Sequence, residues 1–170
     1  MEQFVRDNRI NMIYEGTNTI QSLDLLGRKV LGNNGATLKK FGKLIGALVA
    51  EEGVNEKMAE FITPIAVLGD QMTKFTTEIG FKGFQNPDEV GAAAVDYLRV
   101  AGHLVFGYFW ARMAQVALQQ IATGNTDPFY VAKLQTARFY FAKLFPETAT
   151  AMRTARAGSK VLMDTDAALA

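Results

Sequence analysis

Cysteine is absent from this 170-residue sequence, and histidine occurs only once. Without cysteine the chain has no disulfide, no thiol nucleophile and no cysteine ligand for a metal. The single histidine, His103, lies in an apolar stretch with no acidic residue three or four positions away. We therefore expect His103 to have a packing role, and we expect no metal site.

Excess charge of either sign and long apolar runs are also missing. Eighteen basic and seventeen acidic side chains leave a formal net charge of +1, which offers no long-range attraction to nucleic acid or an anionic membrane. The longest uncharged apolar window, residues 100–111, is much shorter than the ~20 residues of a membrane span. The first residues lack the features of a signal peptide, and the missing thiols are compatible with a reducing compartment, so we expect a cytoplasmic protein.

Hydrophobic residues, by contrast, make up 49% of the chain and recur mostly three and four positions apart, which is typical of amphipathic helices. Glycine, asparagine and proline divide this pattern into segments. The spacing predicts helices from about Thr17 to Val30, from Leu38 to Glu52, from Met58 to Gly80 or Gly83, from Pro87 to Ala122, from Val131 to Phe145 and from Pro146 to about Asp164.

No segment shows the alternation of a strand, so the sequence predicts an all-α fold, an up-down helical bundle of about four long helices. Residues 1–18 lack a clear period and are predicted to be mostly loop. Pro64 either kinks the third helix or begins it after a short turn. We place a domain boundary near residues 32–35, with a loop and one helix in residues 1–34 and the four-helix bundle in residues 35–170.

Aromatic side chains cluster on two of the later helices and suggest either a pocket for a flat ligand or ordinary core packing. Because aromatic residues at helical spacing bury large areas, we favour packing over a cofactor pocket inside the bundle. The cluster comprises Tyr97, Phe106, Tyr108, Phe109, Trp110, Phe139, Tyr140 and Phe141.

Glu15 is the candidate for catalysis. It follows the apolar pair Ile13 and Tyr14 and precedes Gly16, whose missing Cβ lets the backbone approach a ligand closely. A carboxylate that is shielded from water can act as a general base. The same short run is also an acceptable surface turn, which is the simpler interpretation of these residues alone.

The longer string around Glu15 favours the catalytic interpretation. Residues 6–21 follow the pattern Arg-Asp-x-Arg-Ile-x-x-Ile-Tyr-Glu-Gly-Thr-Asn-x-Ile-Gln, which resembles the catalytic segment of the acyl-CoA dehydrogenases. The resemblance implies an oxidoreductase that uses FAD to introduce a double bond between the α- and β-carbons of an acyl-CoA thioester. It also implies that Glu15 is the base that abstracts the α-proton.

Further site residues are implied by the same resemblance. The backbone N–H that corresponds to Glu15 helps to hold the thioester carbonyl oxygen, and Gly16 lies against the substrate, as does Tyr14. Thr17, Asn18 and Thr19 lie along the FAD. These assignments come from the family pattern and not from composition or periodicity.

The resemblance continues in residues 20–29, 107–114 and 136–140, where the chain is similar to bacterial members that carry an additional C-terminal helical domain. These members include enzymes for long-chain acyl-CoA and for 3-methylmercaptopropionyl-CoA. Two positions depart from the short- and medium-chain members, since Ser22 replaces a common arginine and Thr19 a frequent glutamate. The departures weaken the transfer of cofactor and oligomer contacts, but they do not affect the role of Glu15.

The resemblance implies a larger parent enzyme. An acyl-CoA dehydrogenase builds its FAD and acyl-CoA pocket from an N-terminal helical domain, a β-sandwich and most of a C-terminal four-helix domain, none of which the sequence contains. We therefore expect a C-terminal fragment that is inactive alone. Its expected partners are the rest of the dehydrogenase body, the acyl-CoA substrate, an electron-transfer acceptor and further copies of the enzyme. The alternative is a non-catalytic helical interaction or oligomerisation module.

Overall fold

The expected all-α fold is confirmed by a computed structural model, which describes residues 2–13 and 17–164. Every regular element in these two ranges is helical. Stretches of wider π-helix, Asp24–Val30 and Tyr140–Leu144, continue the second and sixth helices. The α-helices are α1 (Glu2–Asn8), α2 (Asn18–Leu23), α3 (Ala36–Glu52), α4 (Ala59–Gln85), α5 (Asp88–Ala122), α6 (Pro128–Phe139), α7 (Glu147–Ala155) and α8 (Lys160–Met163).

Four helical arms run alternately up and down, as the sequence predicts. The first arm is α2 followed by α3, the second is α4, the third is α5, and the fourth is α6 followed by α7. The second and fourth arms are antiparallel to α5, whereas the first is parallel to it. The contacts that define these directions are Thr76–Tyr97 and Gly83–Val90 from α4, Tyr140–Trp110 and Glu147–Arg99 from the fourth arm, and Phe41–Tyr108 and Glu52–Gln115 from α3.

Helix α5 is central to the bundle, and small residues form much of its buried side. Larger side chains from α4 supply most of the volume of the adjoining core. Small residues facing large ones allow neighbouring helices to interdigitate at crystal-like density. The small buried residues of α5 are Ala93, Ala94, Gly107, Ala111, Ala114 and Ala117, and the large ones of α4 include Phe61, Ile65, Met72 and Phe75.

One polar pair is buried within this apolar core. The hydroxyls of Thr76 and Tyr97 lie 2.8 Å apart, and the Thr76 hydroxyl also donates to the Met72 carbonyl at 2.7 Å. Burial raises the pKa of Tyr97, while the hydrogen bond with Thr76 opposes the shift. The Tyr97 ring stacks on Phe75, so this residue joins α4 and α5 by both apolar and polar contact.

The prediction that residues 1–18 are mostly loop is wrong for the first part of the chain. Residues 2–8 form α1, and Arg9–Met12 form a 3₁₀ turn. None of these residues is buried. Local side-chain bonds support the helix, since Gln3 donates to Asp7 and Arg6 donates to Gln3. The apolar period is missing because this helix has no core to face.

One further prediction about helix boundaries needs correction. The last helix does not continue to Asp164, because residues 156–159 interrupt it and Gly158 has a φ of 78°. At that turn Ser159 donates from its backbone N–H and its hydroxyl to Glu89, at 2.9 and 2.6 Å. Of the two alternatives for Pro64, the structure excludes a helix that begins at the proline, because α4 starts at Ala59 and continues through it.

The proposed domain boundary at residues 32–35 coincides with a local break in the chain. Asn34 and Gly35 both have positive φ, and they separate the 3₁₀ turn Leu31–Asn33 from α3. Leu26 and Val30, which precede the break, nevertheless belong to the same apolar core as α4 and α5. The division into residues 1–34 and 35–170 therefore stays a prediction, with packing contacts on both sides of it.

Substitution of Gly107 tests the close packing around α5. A Cβ at Gly107 would lie 2.7 Å from Phe145 and 3.0 Å from Ile65, so Gly107→Ala should reduce the free energy of unfolding by about 1–3 kcal/mol. Gly91→Ala is the control in the same helix, because a Cβ there meets nothing within 4 Å and helix propensity favours alanine by up to about 1 kcal/mol. Urea denaturation measures both, and equal effects of the two variants would contradict the packing.

Candidate functional site

The segment that the sequence marks as catalytic follows the 3₁₀ turn Arg9–Met12 in the chain and precedes α2. Tyr14, Glu15 and Gly16 fall outside the described residues. The structure does describe Thr17, Asn18 and Thr19, which are exposed at the start of α2.

These three residues present hydroxyl and amide groups to solvent at a helix start. The Thr17 side chain makes no capping bond, and its carbonyl accepts the hydrogen bond from the Gln21 N–H at 2.9 Å. The N–H groups of the first helical turn precede that bond and have no partner within the helix. Such a set of donors fits the oxygen-rich ribityl and diphosphate parts of FAD, the cofactor that the resemblance implies.

The position of this helix start is determined by burial of α2 and its π-helical continuation. Ser22 is fully buried and donates from its hydroxyl to the Thr19 carbonyl at 2.7 Å. Leu26 and Val30 follow at helical spacing and are buried in the core. Ser22 stands where short- and medium-chain members carry an arginine, and it is buried here, where a charged side chain would lose its contact with water.

Surface ion pairs on the π-helical stretch contribute less to the position of this helix than burial does. Asp24 forms ion pairs with Arg28 and Lys29, the latter at 3.0 Å. The hydrogen bond from Lys29 lowers the pKa of Asp24, and Arg28 contributes in the same direction. Because Asp24 is at the surface, these pairs contribute little to stability.

Large apolar side chains are exposed on both sides of the loop. Before it, Met12 and Ile13 are 80% and 79% exposed, and after it Ile20 is 63% exposed. Among the described residues, none of the larger surface clefts is lined by residues 17–19. The described part of the chain thus supplies one side of a candidate site but not an enclosed pocket around it.

A sizeable cleft lies elsewhere in the described residues, between the first arm and α4. Its volume is about 730 Å³, and its surface is mainly apolar. Lys39, Thr73 and Thr77 provide polar groups, and Leu31 and Phe84 belong to the apolar lining. No sequence motif points to this cleft.

His103 has polar partners that sequence spacing did not indicate. Its Nδ1 lies 2.9 Å from the Tyr140 hydroxyl, and its Nε2 lies 3.6 Å from a Glu147 carboxylate oxygen. Arg99 is 3.8 Å from the same carboxylate group. The acidic partner was missed because it comes from α7, more than 40 positions away. The arrangement joins α5 to the fourth arm and is compatible with the expected packing role.

The expectation that the aromatic cluster serves packing is confirmed for part of it. Tyr97 and Tyr140 are buried, and Trp110 stacks on Tyr140 with ring centroids 6.1 Å apart. The expectation of core packing is wrong for Phe106, Phe109 and Phe139, because more than half of the surface of each residue is exposed. On α5, helical spacing could not distinguish the two groups, because apolar residues are spread around this helix and not gathered on one face.

Residues 2–13 and 17–164 contain neither a metal-binding cluster nor a membrane-spanning helix. In those ranges no group of three histidine, cysteine, aspartate or glutamate side chains is arranged to hold a metal ion. Within the same ranges no helix has the length and apolar character needed to cross a bilayer.

The larger part of the chain matches a known protein family. Residues 38–166 match the family described as acetyl-CoA dehydrogenase C-terminal like. The matched segment begins in α3, so it excludes the loop and α2.

Similarity to individual enzymes covers more of the chain. It is 33% identical to the 3-methylmercaptopropionyl-CoA dehydrogenase of Ruegeria pomeroyi over 85% of its length, which is 25% of that enzyme. It is 29% identical to a broad-specificity linear acyl-CoA dehydrogenase of Mycobacterium tuberculosis, covering 90% of the chain and 26% of the enzyme. A butyryl-CoA dehydrogenase of Syntrophomonas wolfei is 28% identical, covering 85% of the chain and 24% of the enzyme. The chain therefore spans about a quarter of the length of these relatives.

Alkaline titration tests the burial of Tyr140. Burial raises the pKa of Tyr140 to about 12, whereas an unfolded tyrosine titrates near 10. The folded chain therefore holds this proton more tightly, and the free energy of unfolding should fall as pH rises from about 10 to about 12.

Denaturation at a series of pH values measures this fall, and tyrosinate absorbance measures the titration. Tyr140→Phe should reduce the fall without abolishing it, because Tyr97 also has a raised pKa. An unchanged pH dependence in Tyr140→Phe would contradict the assignment.

Proposed function

Because this chain belongs to the family described as acetyl-CoA dehydrogenase C-terminal like, we propose that it is the C-terminal part of an FAD-dependent acyl-CoA dehydrogenase. The proposed reaction is α,β-dehydrogenation of an acyl-CoA thioester, an oxidation of a CH–CH bond. Family membership carries this proposal, and the names of three similar enzymes, all acyl-CoA dehydrogenases, support it. A cytoplasmic location, an electron-transfer acceptor as partner and assembly into a homo-oligomer belong to the same proposal.

Glu15 is the proposed base. The α-proton of a thioester is only weakly acidic, so its removal needs a carboxylate shielded from water and hydrogen-bond donors directed at the carbonyl oxygen. The family pattern assigns one such donor to the backbone N–H of Glu15 and places Tyr14 and Gly16 against the substrate. The exposed apolar residues Met12, Ile13 and Ile20 are consistent with a loop that is covered in the complete enzyme.

Thr17, Asn18 and Thr19 are the proposed FAD contacts. Their exposed hydroxyl and amide groups, together with the free N–H groups at the start of α2, are suited to oxygen acceptors. FAD, when bound, supplies the acceptor for the hydride that leaves the β-carbon. In this proposal the residues of this chain orient the cofactor and supply the base, and burial of Ser22 and Leu26 fixes the helix start that presents Thr17, Asn18 and Thr19.

Glu15→Gln in the complete flavoenzyme tests the proposed base. Anaerobic reduction of the flavin by acyl-CoA, monitored through the flavin absorbance, should slow by about 10²–10⁴-fold, because glutamine cannot accept the proton. Flavin content and thermal stability should stay unchanged. Glu2→Gln is the matched control, since Glu2 is exposed in α1. Near-normal reduction in Glu15→Gln would contradict the role of Glu15.

A second candidate function is a non-catalytic helical interaction or oligomerisation module. It is favoured by large exposed apolar side chains on α5, including Phe106 and Phe109, in a chain whose described residues build no enclosed pocket beside the loop. Under this function the bundle packs against other protein surfaces and takes no part in catalysis.

A flavin-binding measurement tests whether the 170-residue chain can bind FAD without the rest of the complete enzyme. We expect the purified chain to be colourless and to bind no FAD in equilibrium dialysis, because the described residues supply only one side of the site. The complete flavoenzyme is the positive control. A yellow chain with stoichiometric flavin would overturn the expectation that the chain is inactive alone.

A further inference from the structure

The cleft between the first arm and α4 has no role in the proposed reaction. We call it the α3–α4 cleft, and its lining includes Leu31, Leu38 and Gly42 of the first arm and Thr73, Gly80 and Phe84 of α4. Its volume is about 730 Å³, and its lining is mainly apolar. Small-molecule sites are typically mainly apolar clefts of about 300–1,000 Å³ with a few polar groups. The α3–α4 cleft therefore has the size and character of a ligand site.

The shape of the cleft favours an extended ligand. From Thr73 to Phe84 the α4 wall is about 16 Å long, at a rise of 1.5 Å per residue. The volume spread over this length gives a mean cross-section of about 45 Å², or a width of about 7 Å. A helix with its side chains is about 10–12 Å wide. The cleft is thus too narrow for a partner helix and wide enough for a single hydrocarbon chain.

Gly42 keeps one end of the cleft open, and packing inside the chain does not require a glycine there. A Cβ at this position would meet nothing within 4 Å, although glycine in the middle of a helix is less stable than alanine. At Gly42 the cleft meets a second one of about 590 Å³, which continues between α3 and α4. A side chain at this position would fill the junction of the two clefts.

The polar side chains on the α4 wall are already hydrogen-bonded within the chain. The hydroxyls of Thr73, Thr76 and Thr77 donate to backbone carbonyls of α4, at 3.1, 2.7 and 3.0 Å. The α4 wall therefore has no hydroxyl donor left for a nucleotide or a sugar, which presents many polar groups that need partners. A hydrocarbon chain needs no such partner, so this wall favours an apolar occupant.

Lys39 and Lys43 supply positive charge at the Gly42 end of the cleft. Lys39 lines both clefts, and Lys43, one helical turn later, lines the second. Neither ammonium group has a carboxylate within 4 Å in residues 2–13 and 17–164. Asp70 also lines the second cleft, but it is paired with Lys74 at 2.7 Å. An anionic group at this end would therefore meet two lysines that lack a carboxylate partner.

We propose that the α3–α4 cleft binds an alkyl chain that ends in one anionic group, which is the chemistry of a fatty acid anion. The anionic group lies at Lys39 and Lys43, and the chain extends along α4 towards Leu31 and Phe84. Phe84 is 93% exposed and provides apolar surface at that end. The ligand is bound and not converted, and residues 17–19 do not line the cleft. This proposal does not depend on the catalytic assignment.

Calorimetric titration of the 170-residue chain with dodecanoate, below its micelle concentration, tests the class of ligand. Dodecanoate should bind at one site per chain. Dodecanol has the same alkyl chain without the charge and should bind more weakly. AMP is an anion without an alkyl chain and should show no detectable binding.

Gly42→Leu tests the location of the site. Leucine would fill the junction of the two clefts, so the affinity for dodecanoate should fall at least about tenfold, equivalent to about 1.4 kcal/mol. Helical circular dichroism and thermal stability should not fall, because the position is open within the chain. Gly102→Leu is the matched control. A Cβ at Gly102 also meets nothing within 4 Å, and this residue lies on α5, outside the cleft, so its substitution should not change the affinity.

Lys39→Gln tests the position of the anionic group. This substitution should weaken dodecanoate binding about fivefold, the upper range for an exposed charge pair, and should leave dodecanol binding unchanged. A change in the fold would instead weaken both ligands. Lys40→Gln is the matched control, because Lys40 lies on the same helix but lines neither cleft.

Any of five results would overturn the proposal. Two concern the unmodified chain, namely no dodecanoate binding and equal binding of dodecanoate and dodecanol. Two concern the variants, namely unchanged dodecanoate affinity in Gly42→Leu or Lys39→Gln, and AMP binding that Gly42→Leu abolishes. The last is a complete flavoenzyme in which Gly42→Leu removes no dodecanoate binding, because another domain would then cover the cleft.

Discussion

Close packing on the small-residue side of α5 is the constraint on which the rest of this structure depends. Gly107 is in contact distance of both Ile65 of α4 and Phe145 at the end of the fourth arm. Ala111 and Ala114 continue this buried side. Because α5 has little bulk of its own there, the second and fourth arms can pack against it from two sides, and its opposite side remains open.

The bundle and the candidate catalytic loop are connected through a short helical segment. Ser22 and Leu26 bury α2 against the bundle, and this burial determines where Thr17, Asn18 and Thr19 are presented. The small Ser22 side chain fits this buried position, where a charged arginine would lose its contact with water.

Much of the fold was predictable because helical periodicity is a local property. The helices around Phe41, Phe61 and Leu134 were expected from spacing alone, and the structure contains them. Spacing failed for α1, which is stabilised by local polar bonds and has no buried side. It also failed at the turn before α8, where Ser159 bonds to Glu89 from a distant part of the chain.

The candidate site was less predictable from the sequence than the helices were. The residues around Glu15 were recognisable because the family pattern occupies one contiguous string, residues 6–21, and their roles stay a proposal. The partners of His103 were not predictable, because Tyr140 and Glu147 reach it only after the fourth arm folds back along α5.

The amino-acid sequence by itself determined the helical segments, the family resemblance and the candidate base, because each depends on neighbouring residues. Only the tertiary structure decided which side of α5 is buried. Apolar residues are spread around that helix, so its periodicity selects no single inner face. The choice depends on where α4, α6 and α7 pack, and it leaves Phe106 and Phe109 exposed while Tyr97 and Gly107 are buried.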